Sequence, residues 1–237
     1  MTPPSDPPVG DPSGAQEVEA EALLAPASVA AALMPAVPAV APPVRKRPRP
    51  GERRVQILET LATMLQEPGA ERITTAALAA RLDVSEAALY RHFASKAQMF
   101  EGLIDFIEQS VFSLVNQIVE REPDPSTQVQ RVLLVLLQFG EKNPGMTRVM
   151  VGDALVFEND RLLTRMNQFF ERIESQLRQS LRARADAQGS TTPTVDAHAQ
   201  ASALTSFAIG RLQRFARSGF RKSPTEHLDV ALRLFAS

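Results

Sequence analysis

The chain has no cysteine, no tryptophan, one tyrosine and three histidines in 237 residues. Without cysteine there is no disulfide frame, no thiolate nucleophile and no cysteine metal site. So few histidines leave only carboxylate-rich metal sites open. His198 and His227 stand alone and read as surface or core residues. No Ser/His/Asp set, glycine-rich phosphate loop or paired-carboxylate constellation stands out, so neither an enzyme nor a cofactor or metal is expected. No apolar run reaches the roughly 18 residues that a membrane span needs. No segment alternates apolar and polar residues over a strand's length, which leaves an all-α fold. Net charge is only −1, so no global basicity advertises a polyanion partner.

What is present is unevenly placed. Residues 1–44 carry five acids and no Lys or Arg, residues 45–100 carry ten bases against six acids, and the remainder carries sixteen of each. The positive excess sits in one block, where a nucleic-acid contact would put it. Twelve of the eighteen prolines fall within residues 1–50. Proline lacks an amide donor and restricts its predecessor, so 1–44 reads as a disordered Pro/Ala-rich tail. A short helix around Glu17–Leu24 fits inside it. No basic segment precedes an apolar core there, which argues against a signal peptide. The basic run 45–49, extended by Arg53 and Arg54, is either a solvated charge run or a flexible arm along a phosphate backbone.

Apolar spacing then predicts a succession of helices. Ile57, Leu58, Leu61, Ala62 and Leu65 place one over Arg53–Gln66, ended by Pro68-Gly69. Thr74 or Thr75 caps a short helix Ala76–Leu82. Asp83-Val84 makes a turn, and Ser85 caps Glu86–Phe93 with Ala88 and Leu89 inward. This is a helix-turn-helix layout. The long helix begun by Ser95 carries a stripe of Phe100, Leu103, Ile107, Val111, Leu114 and Ile118, and stops at Glu122–Pro125. A helix over 126–142 holds six consecutive apolar residues, Val132 to Leu137, which require burial nearly all round or a partner. Asn143-Pro144-Gly145 breaks it. Helices over 145–156, Asp160–Ala187, Val195–Phe220 and a short one through Leu228 and Phe235 follow, with a polar loop at Gln188–Thr194.

A helix entering the major groove, about 12 Å wide, needs small or polar residues at its leading end and donors behind them. Ser85, Glu86 and Ala87 meet the first need, and Tyr90, Arg91 and His92 the second. Lys96 reaches a further phosphate, and Thr74 and Thr75 do so from a helix N-terminus that favours anions. The candidate DNA contacts are Arg53, Thr74, Thr75, Ser85, Ala87, Ala88, Tyr90, Arg91, His92 and Lys96. Glu86 would repel phosphate and is not counted. Ser85 also fits a plain N-cap, His92 a support for the helix, and Tyr90 ordinary packing.

The stretch Val84 to Phe100, behind Ile73-Thr74-Thr75-Ala76-Ala77-Leu78-Ala79, resembles the DNA-binding domain of TetR-type regulators. The core Leu89-Tyr90-x-His92-Phe93-x-x-Lys96 carries the match. Over 52–235 the resemblance is to the nucleoid occlusion branch of that family. Its supporting blocks are Arg72–Ala76, Ser85–Phe93, Phe139–Gly145, Ala154–Glu158 and Asn167–Glu174. The tail 1–44 departs from the family pattern.

The resemblance implies a three-helix helix-turn-helix domain over 51–98 and a helical dimerisation and partner-binding domain over 99–237. It implies a homodimer through the last two long helices, reading a palindromic duplex site in the cytoplasm on the nucleoid, with higher assembly on DNA left open. Within the branch it implies inhibition of FtsZ division-ring assembly over the chromosome. The FtsZ tail would lie between the helices matching 95–121 and 126–142. Phe106 falls about 100° from Ile107 on the helix, at the edge of the buried stripe. Val135, Gln138, Lys142 and Asn143 would face it. Phe106 and Val135 fit ordinary core equally well, and Lys142 a solvated helix-end cation. The wider family implies the alternative, a repressor whose body encloses a small ligand and shifts the DNA heads.

Overall fold

Proline and glycine set the helix boundaries, and the apolar stripes decide which faces close. The computed structural model describes residues 51–67 and 72–235. These residues hold α1 (Glu52–Met64), α2 (Thr75–Arg81), α3 (Glu86–Tyr90), α4 (Lys96–Arg121), α5 (Pro125–Lys142), α6 (Pro144–Met150), a 3-10 turn (Asp153–Leu155), α7 (Asp160–Ala187), α8 (Pro193–Arg217) and α9 (Leu228–Arg233). Among the described residues there is no strand, as the absence of alternation predicts. The proline-rich tail, the basic run 45–49 and the expected stop at Pro68-Gly69 lie outside them.

The body is built round α5, which packs against α4, α6, α7 and α8. Val132, Leu133, Val135, Leu136 and Leu137 are all buried, and Leu134 is half-buried. The six-residue apolar run therefore marks a helix surrounded by its own chain. Pro125 occupies its first turn, where a missing amide costs nothing. Asp124 caps it, accepting from the Thr127 amide at 2.8 Å and the Thr127 hydroxyl at 2.6 Å. Those bonds, the hydroxyl's first, hold the Asp124 carboxyl below the usual carboxylate range.

Two glycines let neighbouring helices approach one another closely. A Cβ on Gly140 would lie 2.4 Å from Leu212 Cδ2 and 2.9 Å from Thr147 Oγ1, so α8 and α6 press directly on α5. The buried Thr147 hydroxyl donates to the Gly140 carbonyl at 2.7 Å. A Cβ on Gly145 would lie 2.2 Å from the Ala62 carbonyl oxygen, so α6 abuts the backbone of α1. Much of the Phe139–Gly145 block is thus explained by close packing.

The flank of α4 carries Glu101, Asp105 and Glu108, at helical spacing. Arg161 of α7 pairs with Glu101 at 2.8 Å, and Arg165 with Asp105 at 2.6 Å and Glu108 at 2.7 Å. Arg172 lies over the Phe112 ring at 3.8 Å. This seam engages three of the arginines on the charged face of α7.

Two helix ends and one position of an apolar stripe differ from expectation. The helix over 145–156 stops at Met150, because Gly152 turns left-handed (φ 84°) before the 3-10 turn. The helix ending at Phe220 stops at Arg217, with Gly219 and Phe220 both left-handed (φ 63° and 64°) and the Phe220 ring folded back on Phe215 at 5.2 Å. In α4, Leu114 is only half-buried while Ile104 and Val115 are closed, because α4 has neighbours on several sides.

At Gly145 the obstructing atom is backbone, which cannot rotate away. Gly145→Ala is expected to cost about 2–3 kcal/mol, an overpacking penalty, and to lower the melting temperature by roughly 4–10 °C in thermal unfolding. An unchanged melting temperature would show that α6 does not abut α1.

Candidate nucleic-acid interface

The segment α2–turn–α3 is shaped by caps. Thr74, in extended backbone, accepts from the Ala77 amide at 3.1 Å, so Thr74 rather than Thr75 caps α2. At the far end the Asp83 amide donates to the Ala80 carbonyl at 3.1 Å and the Val84 amide to the Ala79 carbonyl at 3.0 Å. Asp83 takes the left-handed conformation (φ 52°) that this reversal requires. A short polar residue tolerates that conformation better than a branched one.

The second helix is shorter than expected, Glu86–Tyr90 rather than Glu86–Phe93. The Leu89 carbonyl accepts from the amides of both His92 (2.9 Å) and Phe93 (3.1 Å), which tightens the last turn. Phe93 is thereby carried into the core and is 1% exposed. The expected capping by Ser85 is corrected as well: Ser85 stands at the N-cap position, but its hydroxyl makes no capping bond. It is exposed, as are Ala87, Tyr90, Arg91 and His92, while Ala88 is half-buried against the core.

Several candidates are engaged internally. The Thr75 hydroxyl donates to the Glu86 carboxylate at 2.5 Å, joining the starts of α2 and α3 and giving that acid a structural task. Arg53 donates to Gln56 at 2.8 Å. Lys96 forms an ion pair with Glu158 and lies 5.6 Å from the Phe100 ring. Arg72 lies 5.9 Å from the Phe157 ring. The Ala154–Glu158 block therefore touches Arg72, ahead of α2, and Lys96, in the first turn of α4.

Sequence reasoning missed Arg54. Its guanidinium donates to the His92 carbonyl at 2.9 Å and stacks on Phe93 at 4.1 Å, holding the end of α3 to α1. No spacing rule links residues 38 apart.

The second candidate surface lies along α4 and α5. Phe106 is half-buried and faces Phe139, 6.0 Å between centroids. Phe139 was not among the expected residues. Val135 was, and is corrected: at 2% exposure it belongs to the core of α5 and offers no surface to a partner. Gln138 is half-buried, and its Oε1 is enclosed with no hydrogen-bond partner. Asn143 donates to the Phe139 carbonyl at 2.8 Å, and Lys142 is exposed.

Chemically, the α3 face offers small exposed side chains flanked by a phenol, a guanidinium and an imidazole. That is a set for hydrogen bonding to base edges and phosphate. A family model described as bacterial regulatory proteins, tetR family, matches residues 57–103, and one described as tetracyclin repressor-like, C-terminal domain, matches 124–237. Over 183 residues the chain is 52% identical to the nucleoid occlusion factor SlmA of Aliivibrio fischeri, covering 77% of this chain and 93% of that protein. This chain belongs to the SlmA family, within the TetR-type regulators. It is also 53% identical to the SlmA of Photobacterium profundum over 178 residues, covering 75% of this chain and 90% of that one. For the SlmA of Salmonella typhi the identity is 50% over 186 residues, with 78% and 93% covered. The fatty acid degradation regulator FadR of Bacillus halodurans superposes with a TM-score of 0.62 over 81% of this chain and 96% of that one. At 13% identity that likeness shows the fold alone. The family description that matches 57–103 is one of regulatory proteins.

If Arg54 acts through its stack and its bond to His92, the charge alone does not suffice. Arg54→Lys is expected to destabilise the fold by about 1 kcal/mol, from the lost stack and fork geometry. Urea unfolding measures it, and equal midpoints for the two proteins would contradict the assignment.

Proposed function

We propose that this SlmA-family chain is a nucleoid occlusion factor that binds duplex DNA as a homodimer and, so placed, inhibits FtsZ assembly. The observation that carries the reading is the exposed α3 face: Ser85 and Ala87 lead, and Tyr90, Arg91 and His92 follow as donors. Residues 51–98 form the DNA-binding unit and 99–237 the dimerisation and partner unit. Ser85, Ala87 and Ala88 meet the major groove, and Arg53, Thr74, Thr75, Tyr90, Arg91, His92 and Lys96 engage the backbone. Half identity to SlmA proteins along most of the chain supports occlusion over a ligand-responsive repressor.

Dimerisation through α7 and α8 is supported by the outer face of α8. Ser202, Ala203, Ser206 and Gly210 are small and exposed there, and a Cβ on Gly210 would meet nothing in one copy. Small residues suit close approach of a second helix. The FtsZ tail docks on Phe106 and Phe139 beside Gln138, with Lys142 and Asn143 at the helix end. Among the described residues no helix is long and apolar enough to cross a membrane.

Sedimentation of FtsZ polymers tests the reading. Protein with its cognate duplex is expected to reduce pelleted FtsZ, and Phe106→Ala to abolish the reduction. Polymers untouched with and without DNA would sink the division role and leave the repressor. Tyr90→Ala is expected to weaken binding about tenfold on every duplex, the loss of one hydrogen bond to a charged group. Unchanged affinity at moderate salt would remove Tyr90 from the contact.

A further inference from the structure

Lys96 opens α4 behind a firm cap: Ser95 accepts from the Gln98 amide at 3.2 Å, and Gln98 accepts in turn from the Ala94 amide at 2.7 Å. Its ammonium is held by Glu158, 62 residues further on, whose side chain is 9% exposed against 25% for Lys96. Glu158 ends a segment in which Val156 and Phe157 are 70% and 66% exposed, and Phe157 lies beneath Arg72. One short segment of the body thus holds two cations of the DNA-binding unit, one by charge and one by a ring.

A cation strengthens DNA binding by displacing counterions from phosphate. A cation already neutralised by a protein carboxylate adds little net charge to a phosphate contact. Lys96 can turn to phosphate only by giving up Glu158. That leaves a carboxylate largely shut off from water and without its cation, which is costly. We propose that Glu158 is an electrostatic brake on DNA binding, competing with the phosphate backbone for Lys96. This rests on the DNA-binding reading given above. DNA occupancy and the position of the Val156–Glu158 segment are then linked: phosphate draws Lys96 away from Glu158, and displacement of Glu158 frees Lys96 for phosphate.

The test is fluorescence anisotropy across a salt series, on a duplex that the unsubstituted full chain selects from a random pool. Glu158→Gln keeps the shape and removes the charge. It is expected to bind severalfold tighter and to steepen the slope of log affinity against log salt by about 0.9, the value of one added phosphate contact. With Lys96→Ala in place, Glu158→Gln is expected to change neither. Glu158→Asp, which keeps a carboxylate but shortens its reach, is expected to fall between, and it serves where Glu158→Gln melts early by circular dichroism. Affinity equal to or below that of the unsubstituted chain overturns the brake, and a weaker value makes Glu158 a positioning residue for Lys96. The same tightening without Lys96 also overturns it. If the unsubstituted chain binds no duplex, the DNA-binding reading falls and this inference with it.

Discussion

The structure depends on closing α5 over most of its circumference. A helix apolar all round has no stable place except at the centre of other helices, and here α4, α6, α7 and α8 enclose it. The bulk that surrounds it must be matched by absence of bulk at the crossings. Gly140 supplies that towards α8, and Gly145 carries the same economy outward to α1. The N-terminal helices are therefore seated on the body by a backbone contact at Gly145 as well as by side chains such as Leu58, which lies against Gly102 of α4. Interiors this dense tolerate little added volume, so small changes at these crossings propagate.

The surface of the N-terminal helices is set by internal acids as much as by exposed bases. Glu86 is occupied by the Thr75 hydroxyl, and Glu158 by Lys96. The local excess of base is moderated where it meets the body. What remains open on α3 is a small-residue leading edge followed by Tyr90, Arg91 and His92. That is a narrower and more specific surface than the charge count of 45–100 suggests.

The helix-turn-helix was legible because its signals are local. Thr74 as a cap, Asp83 at the reversal and Leu89 pointing inward each need only a few neighbouring residues. The central place of α5 was legible too, from six apolar residues in succession. What escaped was long-range. Arg54 meets His92 across 38 residues and Lys96 meets Glu158 across 62, and no periodicity encodes either meeting. Val135 was misplaced for a related reason. An angle on a helical wheel locates a side chain relative to its own helix, but on a helix with four packed neighbours it does not say which of them the side chain faces. Phe139 met Phe106 instead, and only the crossing of α4 with α5 decides that. The early end of α3 depended on where Phe93 finds its core, again a tertiary matter.

The two candidate surfaces share α4. Lys96 stands in its first turn and Phe106 ten residues later, about 15 Å along the axis at 1.5 Å per residue. A continuous helix of 26 residues, braced by Arg161, Arg165 and Arg172 from α7, joins them. The proposed DNA face and the proposed partner face therefore stand on one frame. Beside it the Gly145 contact seats α1 on α6, and the Lys96–Glu158 pair ties the first turn of α4 to the segment before α7.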